Sequence, residues 1–462
     1  MSDLAVFVLC AAVCGGAWVA LPVPVPVALA VAVVAAVVRR PALVVVAGAA
    51  LASAVAAPAW AGLAPPRAAE VEGVAVLVGD PSWAFGAVRV DVRLGDRRLE
   101  AWARGQSAAV LDDRLSGEQV RLRGWVRAPT PATRQRLAVR HIGARLDVEV
   151  VDGWRPGNLA SRAANGLRRT LVRGAQPLSV DDRSLLLGVV LGDDREQSDE
   201  LRLAFRGSGL SHLLAVSGEN VAFVLALAGP VLRRMGLRSR WLATLGLLGF
   251  FGLLTRWEPS VLRAGFMAAL ACTAWTLGRP TSRLRLLALA VSAAVVIDPL
   301  LVHALGFQLS VGATAGIALL AGPVGRRLPG PSWFAEPLAV TIAAQIGVAP
   351  VALPAFGGLP LASLPANLLA VPAAAPLTAW GLTGGVLAGL AGPPFDGWLH
   401  LPSRLLAGWL AGVARWGAGL PLGQVRTGHA LVLAGVVVVV LVGRRTVGDR
   451  KRRRTAWPSA ST

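Results

Sequence analysis

The sequence predicts a polytopic α-helical membrane protein that carries a small extracytoplasmic all-β domain, an OB-like barrel. Of its 462 residues, 55% are hydrophobic and only 16% are charged, whereas soluble domains carry about 25% charged residues. Apolar runs long enough to cross a bilayer recur along the chain. Between them, residues 67–156 hold 15 Arg and 12 Asp or Glu residues in short alternating stretches, the pattern of half-buried strands.

Residues 1–64 predict two or three membrane helices, at about 4–20, 22–38 and 42–63. The short segment before Leu4 carries no basic residue, so we interpret the first apolar run as a retained span and not as a cleaved signal peptide.

Residues 67–156 predict five or six short strands separated by Gly and Pro. A domain of this size with so many strands fits an OB-like barrel, a fold that binds single strands through aromatic and basic groups. The candidate DNA-contacting aromatics are Trp83, Trp102 and Trp125, and the alternative is that they fill the barrel core. The predicted strands are Val71–Val78, Ala87–Leu94, Arg98–Arg104, Gln119–Arg127 and Arg145–Val151.

Residues 158–207 predict amphipathic helices on the membrane surface, with Arg162, Arg168, Arg169 and Arg173 away from the apolar face. Residues 208–443 predict a transmembrane domain, and 444–462 a basic cytoplasmic tail. The candidate spans of that domain lie at about 210–230, 241–255, 260–277, 286–301, 303–322, 336–356, 361–390, 403–420 and 429–443.

Arg clusters set the predicted orientation. They fall at 39–40, 233–240, 279–285, 326–327 and 444–454, and cytoplasmic loops carry the excess of basic residues. If each cluster is cytoplasmic, residues 67–156 lie outside the plasma membrane. Much of the formal charge of +20 is then an orientation signal.

Polar side chains inside apolar runs are costly, so they line a path or pair with each other. The richest stretch, Gly207–Asn220, predicts a broken or re-entrant helix beside an aqueous cavity; the alternative is a structural hydrogen-bond cluster. On one continuous helix His212 and Glu219 would share a face. We expect Arg263 to pair with Glu219 or Asp298. The candidate path residues are His212, Ser217, Glu219, Asn220, Arg263, Gln308, Ser310 and Asn367.

Signatures of catalysis are missing from the sequence. It has no metal-hydrolase histidine motif, no phosphate-binding P-loop and no Gly-x-Ser-x-Gly elbow, and its one Lys is Lys451. Cys10, Cys14 and Cys272 lie inside apolar runs, which argues against disulfides. We therefore expect no enzymatic activity, no cofactor and no bound metal.

The ordered motifs of residues 183–390 resemble the ComEC family of bacterial competence channels. The similar blocks are Leu185–Asp193, Phe205–Gly218, Pro259–Ala264, Asp298–Pro299 with Gly306–Ser310, and Pro365–Pro372. The resemblance implies a channel that passes one DNA strand into the cytoplasm during natural transformation, with 67–156 as the external OB-like domain.

Two departures from the family pattern matter. Glu219-Asn220 stand where the family often has an apolar residue and a His, and the metallo-β-lactamase-like domain of many members has no counterpart in this sequence. The expected partners are therefore single-stranded DNA, membrane lipid, and a separate DNA receptor, nuclease and motor ATPase, with a homo-oligomer left open. The alternative functions are a small-molecule or ion transporter and a non-transporting membrane scaffold.

Overall fold

The computed structural model describes residues 3–214, 216–279, 281–426 and 428, and helices form most of it. The predicted span 429–443 and the tail 444–462 lie outside these residues. The helices are α1 (Asp3–Val19), α2 (Val25–Val38), α3 (Pro41–Ala61), α4 (Gly105–Asp112), α5 (Pro131–Ala138), α6 (Leu159–Gly174), α7 (Val180–Leu191), α8 (Asp199–Gly207), α9 (Gly218–Leu232), α10 (Leu237–Leu254), α11 (Pro259–Thr276), α12 (Arg283–Ile297), α13 (Leu305–Gly325), α14 (Ser332–Phe356), α15 (Ser363–Ala391), α16 (Phe395–Leu399) and α17 (Leu401–Ala418).

One six-stranded sheet occupies most of the segment between α3 and α6. Its order is β1-β5-β6-β4-β3-β2, and β1 also pairs with β3. Within it only β4 and β6 run parallel. The strands of the chain are β1 (Ala69–Leu77), β2 (Ser82–Ala84), β3 (Ala87–Leu94), β4 (Arg97–Ala103), β5 (Gln119–Arg127), β6 (Ile142–Arg155), and the short pair β7 (Leu359–Pro360) and β8 (Gln424–Val425).

Alternation along the strands divides the sheet into two faces. Val88, Val90 and Val92 of β3 point into an apolar core with Leu122 of β5 and Leu146 of β6. The intervening positions, which carry most of the charged residues, point outward, because successive side chains of a strand lie on opposite faces.

Within the described residues, four helices are long and apolar enough to cross a membrane: α3, α13, α14 and α15. Shorter apolar helices are α1, α2 and α9. The 29-residue α15 is one continuous helix with Pro372 and Pro376 inside it. At 403–420 the chain forms the amphipathic α17, whose Ser403, Ala407 and Ala414 are buried.

Two sequence predictions, one for residues 210–230 and one for Arg168, are wrong. Residues 210–230 do not form one span, because a single 3₁₀ turn at Ser211–Leu213 is separate from α9, which begins at Gly218. Arg168 is not on the exposed face of α6: it is 2% exposed, because the sheet and the α10–α11 turn cover it.

Candidate nucleic-acid groove and membrane polar loop

A groove of about 350 Å³ lies on the outer face of the sheet, lined in part by β4 and α5. Guanidinium groups outnumber carboxylates in its lining by four to one. Strands β3, β4 and β6 supply half of the lining residues, and pairing brings them together: Arg89 faces Trp102 and Glu100 faces Arg145 across the strands. The lining residues are Phe85, Arg89, Glu100, Trp102, Arg104, Thr133, Arg136 and Arg145.

Glu100 organises the groove from beneath. It is 1% exposed and accepts hydrogen bonds from Trp102 Nε1 at 2.9 Å and from Arg140 Nη2 at 2.9 Å. Burial raises the pKa of this carboxyl, but the bonds from Trp102 and Arg140 outweigh burial and leave the pKa lowered. Glu100 therefore stays ionised at neutral pH. Arg145 lies 4.7 Å above the Trp102 ring, a cation–π contact that covers the indole.

Phe85 stands at the edge of the groove in the β2–β3 turn. It is 96% exposed, and its φ of 51° is in the left-handed region. A bulky residue in that region costs about 1–3 kcal/mol, and such strain is concentrated at binding and catalytic sites. An exposed aromatic ring beside four guanidinium groups suits a ligand with planar rings and negative charge.

The three predicted aromatics do not come together. Trp102 lines the groove but is 8% exposed and so is largely buried, although it is not part of the apolar cluster between the strands. Trp125 lies on the same outer face, because both Trp102 and Trp125 pair with Asp147 of β6. Trp83 lies elsewhere: it lines a second cavity, of about 210 Å³, with Asp193 and Arg195.

The groove arginines were not singled out from the sequence. A signal was present, because Arg89 lies between Val88 and Val90 and is therefore outward on a half-buried strand. Arg136 gave no such signal, since it reaches the groove from α5.

The second site is the polar loop, residues 208–217, between α8 and α9. Gly209 has a φ of 73°, and a Cβ on it would lie 2.4 Å from Cβ of Ser363, so a side chain is excluded there. The loop interrupts the helical path at the predicted position. His212 and Glu219 do not share a helix face, which corrects that expectation, because His212 lies in the 3₁₀ turn and Glu219 in the first turn of α9.

Side-chain bonds fix the start of α9. Ser217 Oγ accepts from the amide of Glu219 at 3.2 Å and donates to Oδ1 of Asn220 at 3.2 Å. Asn220 Nδ2 donates to the carbonyl oxygen of Val189 at 2.7 Å. Ser260 Oγ of α11 donates to the carbonyl oxygen of Val216 at 2.7 Å. The start of α9 is thus tied to α7, and the polar loop to α11, through backbone acceptors.

Arg263 of α11 reaches the same place. It is 8% exposed, and its Nε donates to Ser310 Oγ at 2.7 Å. Its Nη2 lies against Gly218, where an added Cβ would be 2.5 Å away. The predicted pairing with Glu219 or Asp298 is wrong: in the part of the chain that the structure describes, Arg263 has no ion pair, and Asp298 contacts His141 at 2.8 Å.

The remaining predicted path residues lie apart. Gln308 Nε2 donates to the carbonyl oxygen of Val302 at 2.7 Å. Asn367 is buried, and its Oδ1 has no partner among the described residues. His212 and Glu219 are exposed. The structure therefore brings together Ser217, Asn220, Arg263 and Ser310 and leaves the other four separate.

Comparisons with known proteins place the helical segment that contains the polar loop in a family. The family model described as "Competence protein" matches residues 189–448, more than half of the chain. The matched segment contains the polar loop and Arg263. No solved structure matches the chain.

Three curated proteins are similar at 28% identity. The uncharacterized protein YcaI of Escherichia coli strain K12 matches over 231 residues, 46% of this chain and 30% of that protein. ComE operon protein 3 of Bacillus subtilis matches over 202 residues, 42% of this chain and 25% of that protein. Competence protein ComA of Neisseria gonorrhoeae matches over 307 residues, 62% of this chain and 42% of that protein. These matches span about a quarter to two fifths of the relatives' lengths. The resemblance drawn from the ordered motifs is confirmed, and the chain belongs to the Competence protein family.

Proposed function

We propose that this protein is a membrane channel that passes single-stranded DNA into the cytoplasm during natural transformation. The observation that carries the proposal is Arg263 of α11, a buried guanidinium without a carboxylate partner among the described residues. It lies beside Gly218 at the start of α9, and both residues are inside the family match. A buried charge without a counter-charge is costly. A passing phosphodiester supplies that counter-charge, and phosphate contacts dominate protein–DNA affinity.

The outer groove receives the strand before it reaches the membrane. Phe85 offers a stacking surface for a base, and the guanidinium groups of Arg89, Arg104 and Arg136 face the phosphates. We interpret the sheet as an OB-like barrel. The pairing of β1 with both β5 and β3, and the parallel pair β4–β6, support this interpretation.

The orientation we propose is multi-pass in the plasma membrane, with the sheet outside. The contacts of the sheet support it: Asp80 binds Arg256 between α10 and α11, and His141 binds Asp298 after α12. The Arg clusters at 233–240, 279–285 and 326–327 join the opposite ends of these helices and of α13. An outward sheet therefore agrees with cytoplasmic arginines.

The chain itself moves DNA without catalysing a reaction. Direction and strand degradation then come from separate proteins: a DNA receptor, a nuclease and a cytosolic motor ATPase. The family model is described as "Competence protein", and one similar protein, competence protein ComA of Neisseria gonorrhoeae, carries competence in its name, which supports placing this chain in that process.

The test measures uptake of radiolabelled DNA in a transformable strain whose own copy is replaced by variants of this chain. Arg263→Ala should lower nuclease-protected, internalised DNA about tenfold or more, because a charge-assisted contact contributes about 1.5–3 kcal/mol. Surface-bound DNA should not change. Arg238→Ala is the matched control, since Arg238 is exposed on α10.

Normal uptake in the Arg263→Ala strain, at equal protein level, would contradict the proposal. If the same variant loses small-molecule or ion flux in proteoliposomes while DNA uptake is unaffected, the transporter alternative is correct.

A further inference from the structure

A buried ionic network joins the sheet to the membrane helices; we name it the junction and define it as Asp80, Asn165, Arg168, Asp193 and Arg256. Asp80 lies in the β1–β2 loop. It receives Nε and Nη2 of Arg256 at 3.0 and 2.8 Å and Nη2 of Arg168 at 2.9 Å. Nη2 of Arg256 also donates to Oδ1 of Asn165 at 2.8 Å. One carboxylate therefore holds two guanidinium groups from two helical segments.

Arg168 extends the junction to two further elements. Its Nη1 donates to the carbonyl oxygens of Leu191 at 2.9 Å and Leu254 at 2.8 Å, which are the last residues of α7 and α10. Its Nη2 contacts Asp193 at 3.3 Å. The ends of α7 and α10 are thus fixed relative to the sheet by one buried side chain.

The charge state of the junction is constant at physiological pH. Burial raises the pKa of Asp80, but Arg168 and Arg256 outweigh burial and lower the pKa to about 2. Asp80 is therefore ionised throughout the physiological range. The junction is a permanent link and does not act as a pH switch.

The junction is connected to the polar loop by the α10–α11 turn. Arg256 and Trp257 have φ values of 59° and 55°, so two non-glycine residues hold left-handed conformations in succession. Such a turn persists only where surrounding contacts enforce it, and Asp80 supplies those contacts. Directly after the turn, Ser260 binds the carbonyl oxygen of Val216, and Arg263 lies against Gly218.

A second connection runs from Asp193 to the same loop. The helix that ends beside Asp193, α7, offers the carbonyl oxygen of Val189 to Asn220 at 2.7 Å. Four residues after Asp193, Gln197 Nε2 donates to the carbonyl oxygen of Leu214 at 3.0 Å. Both arms of the junction therefore end on the polar loop.

We propose that Asp80 and Arg256 are positioning residues: from the sheet, they set the geometry of the polar loop and of Arg263. In its consequence for DNA passage, this inference rests on the proposed function. The structural part does not, because it concerns only how the loop is held.

Hydrogen exchange of the full chain in nanodiscs tests the structural part. In Asp80→Asn, amides of peptides covering 208–220 should exchange about tenfold faster, while the sheet interior exchanges at its original rate. Asp80→Glu should restore most of the protection, because it keeps the charge. Asp96→Asn, at an exposed position of the sheet, should leave exchange unchanged.

Binding and uptake separate a positioning role from a general loss of stability. Asp80→Asn and Arg256→Gln should bind single-stranded DNA with a Kd within about twofold of the original, since the groove is elsewhere, and should internalise about tenfold less DNA. Unchanged exchange at 208–220 overturns the inference, and so does an equal rise across the whole chain. Normal uptake in Arg263→Ala with fast loop exchange in Asp80→Asn would reject only the proposed function.

Discussion

The arginine side chains of the sheet and those of the membrane helices have different partners. At the groove, the lining residues Arg136 and Arg145 and the neighbouring Arg140 surround one ionised carboxylate, Glu100, at 4.0, 3.8 and 2.9 Å. Among the helices, Arg263 has a hydroxyl and a thioether as its side-chain partners. The first arrangement keeps a positive surface in place without a ligand. The second leaves a charge without a carboxylate partner among the described residues, and in the proposed function a passing phosphate balances it, so the two regions should respond differently to mutation and salt.

Glu100→Gln should have the largest effect and should be confined to the sheet. Removing a buried partner of several guanidinium groups costs about 3–5 kcal/mol in unfolding free energy. Thermal unfolding of the sheet, followed by near-ultraviolet circular dichroism, measures this. Glu70→Gln is the control, because the side chain of Glu70 is half exposed and 4.0 Å from Arg123. Equal unfolding midpoints for Glu100→Gln and Glu70→Gln would contradict the role of Glu100 in holding the arginines of the sheet.

Phe85→Ala should weaken single-stranded DNA binding by about 1–3 kcal/mol, the contribution of one stacked base. Trp83→Ala is the informative contrast, because the structure places Trp83 in a different cavity and predicts no change in Kd. Fluorescence anisotropy with a labelled oligonucleotide compares them. A larger loss of affinity in Trp83→Ala than in Phe85→Ala would contradict the groove as the DNA-binding site.

Acid should weaken the link between the two regions through Asp80. Its folded pKa is lowered from 3.8 to about 2, so its contribution to stability is complete above pH 3.8 and is lost as the pH falls towards 2. The contribution is about 2 kcal/mol. Unfolding midpoints between pH 5 and pH 2 should therefore fall less steeply in Asp80→Asn than in the original chain. Parallel pH profiles would contradict this assignment.

The smallest effect concerns salt. Arg136→Gln should reduce the slope of log Kd against log salt concentration by about 0.7, the value for one phosphate contact on a single strand. Titrations at several salt concentrations measure the slope. An unchanged slope would show that Arg136 does not meet a phosphate.

The sequence predicted the elements better than their contacts. Strands Ala87–Leu94 and Gln119–Arg127 have their predicted bounds, because one face is apolar and the other charged. The glycines of the stretch Gly207–Asn220 also predicted the break near Gly209. The sequence did not predict the partner of Arg263, because Ser310 lies 47 positions away on another helix, and only helix packing brings the two together. The Asp80–Arg256 contact spans 176 positions and joins two regions, so no local pattern signals it.

Single-channel recording in planar bilayers tests the central claim most directly. The purified chain should conduct ions, and single-stranded DNA added on the sheet side should block the current for times that increase with strand length, whereas duplex DNA should not. Arg263→Ala should shorten the blockades. A conductance that single-stranded DNA leaves unaffected, in folded protein that still binds the strand at the groove, would contradict the account.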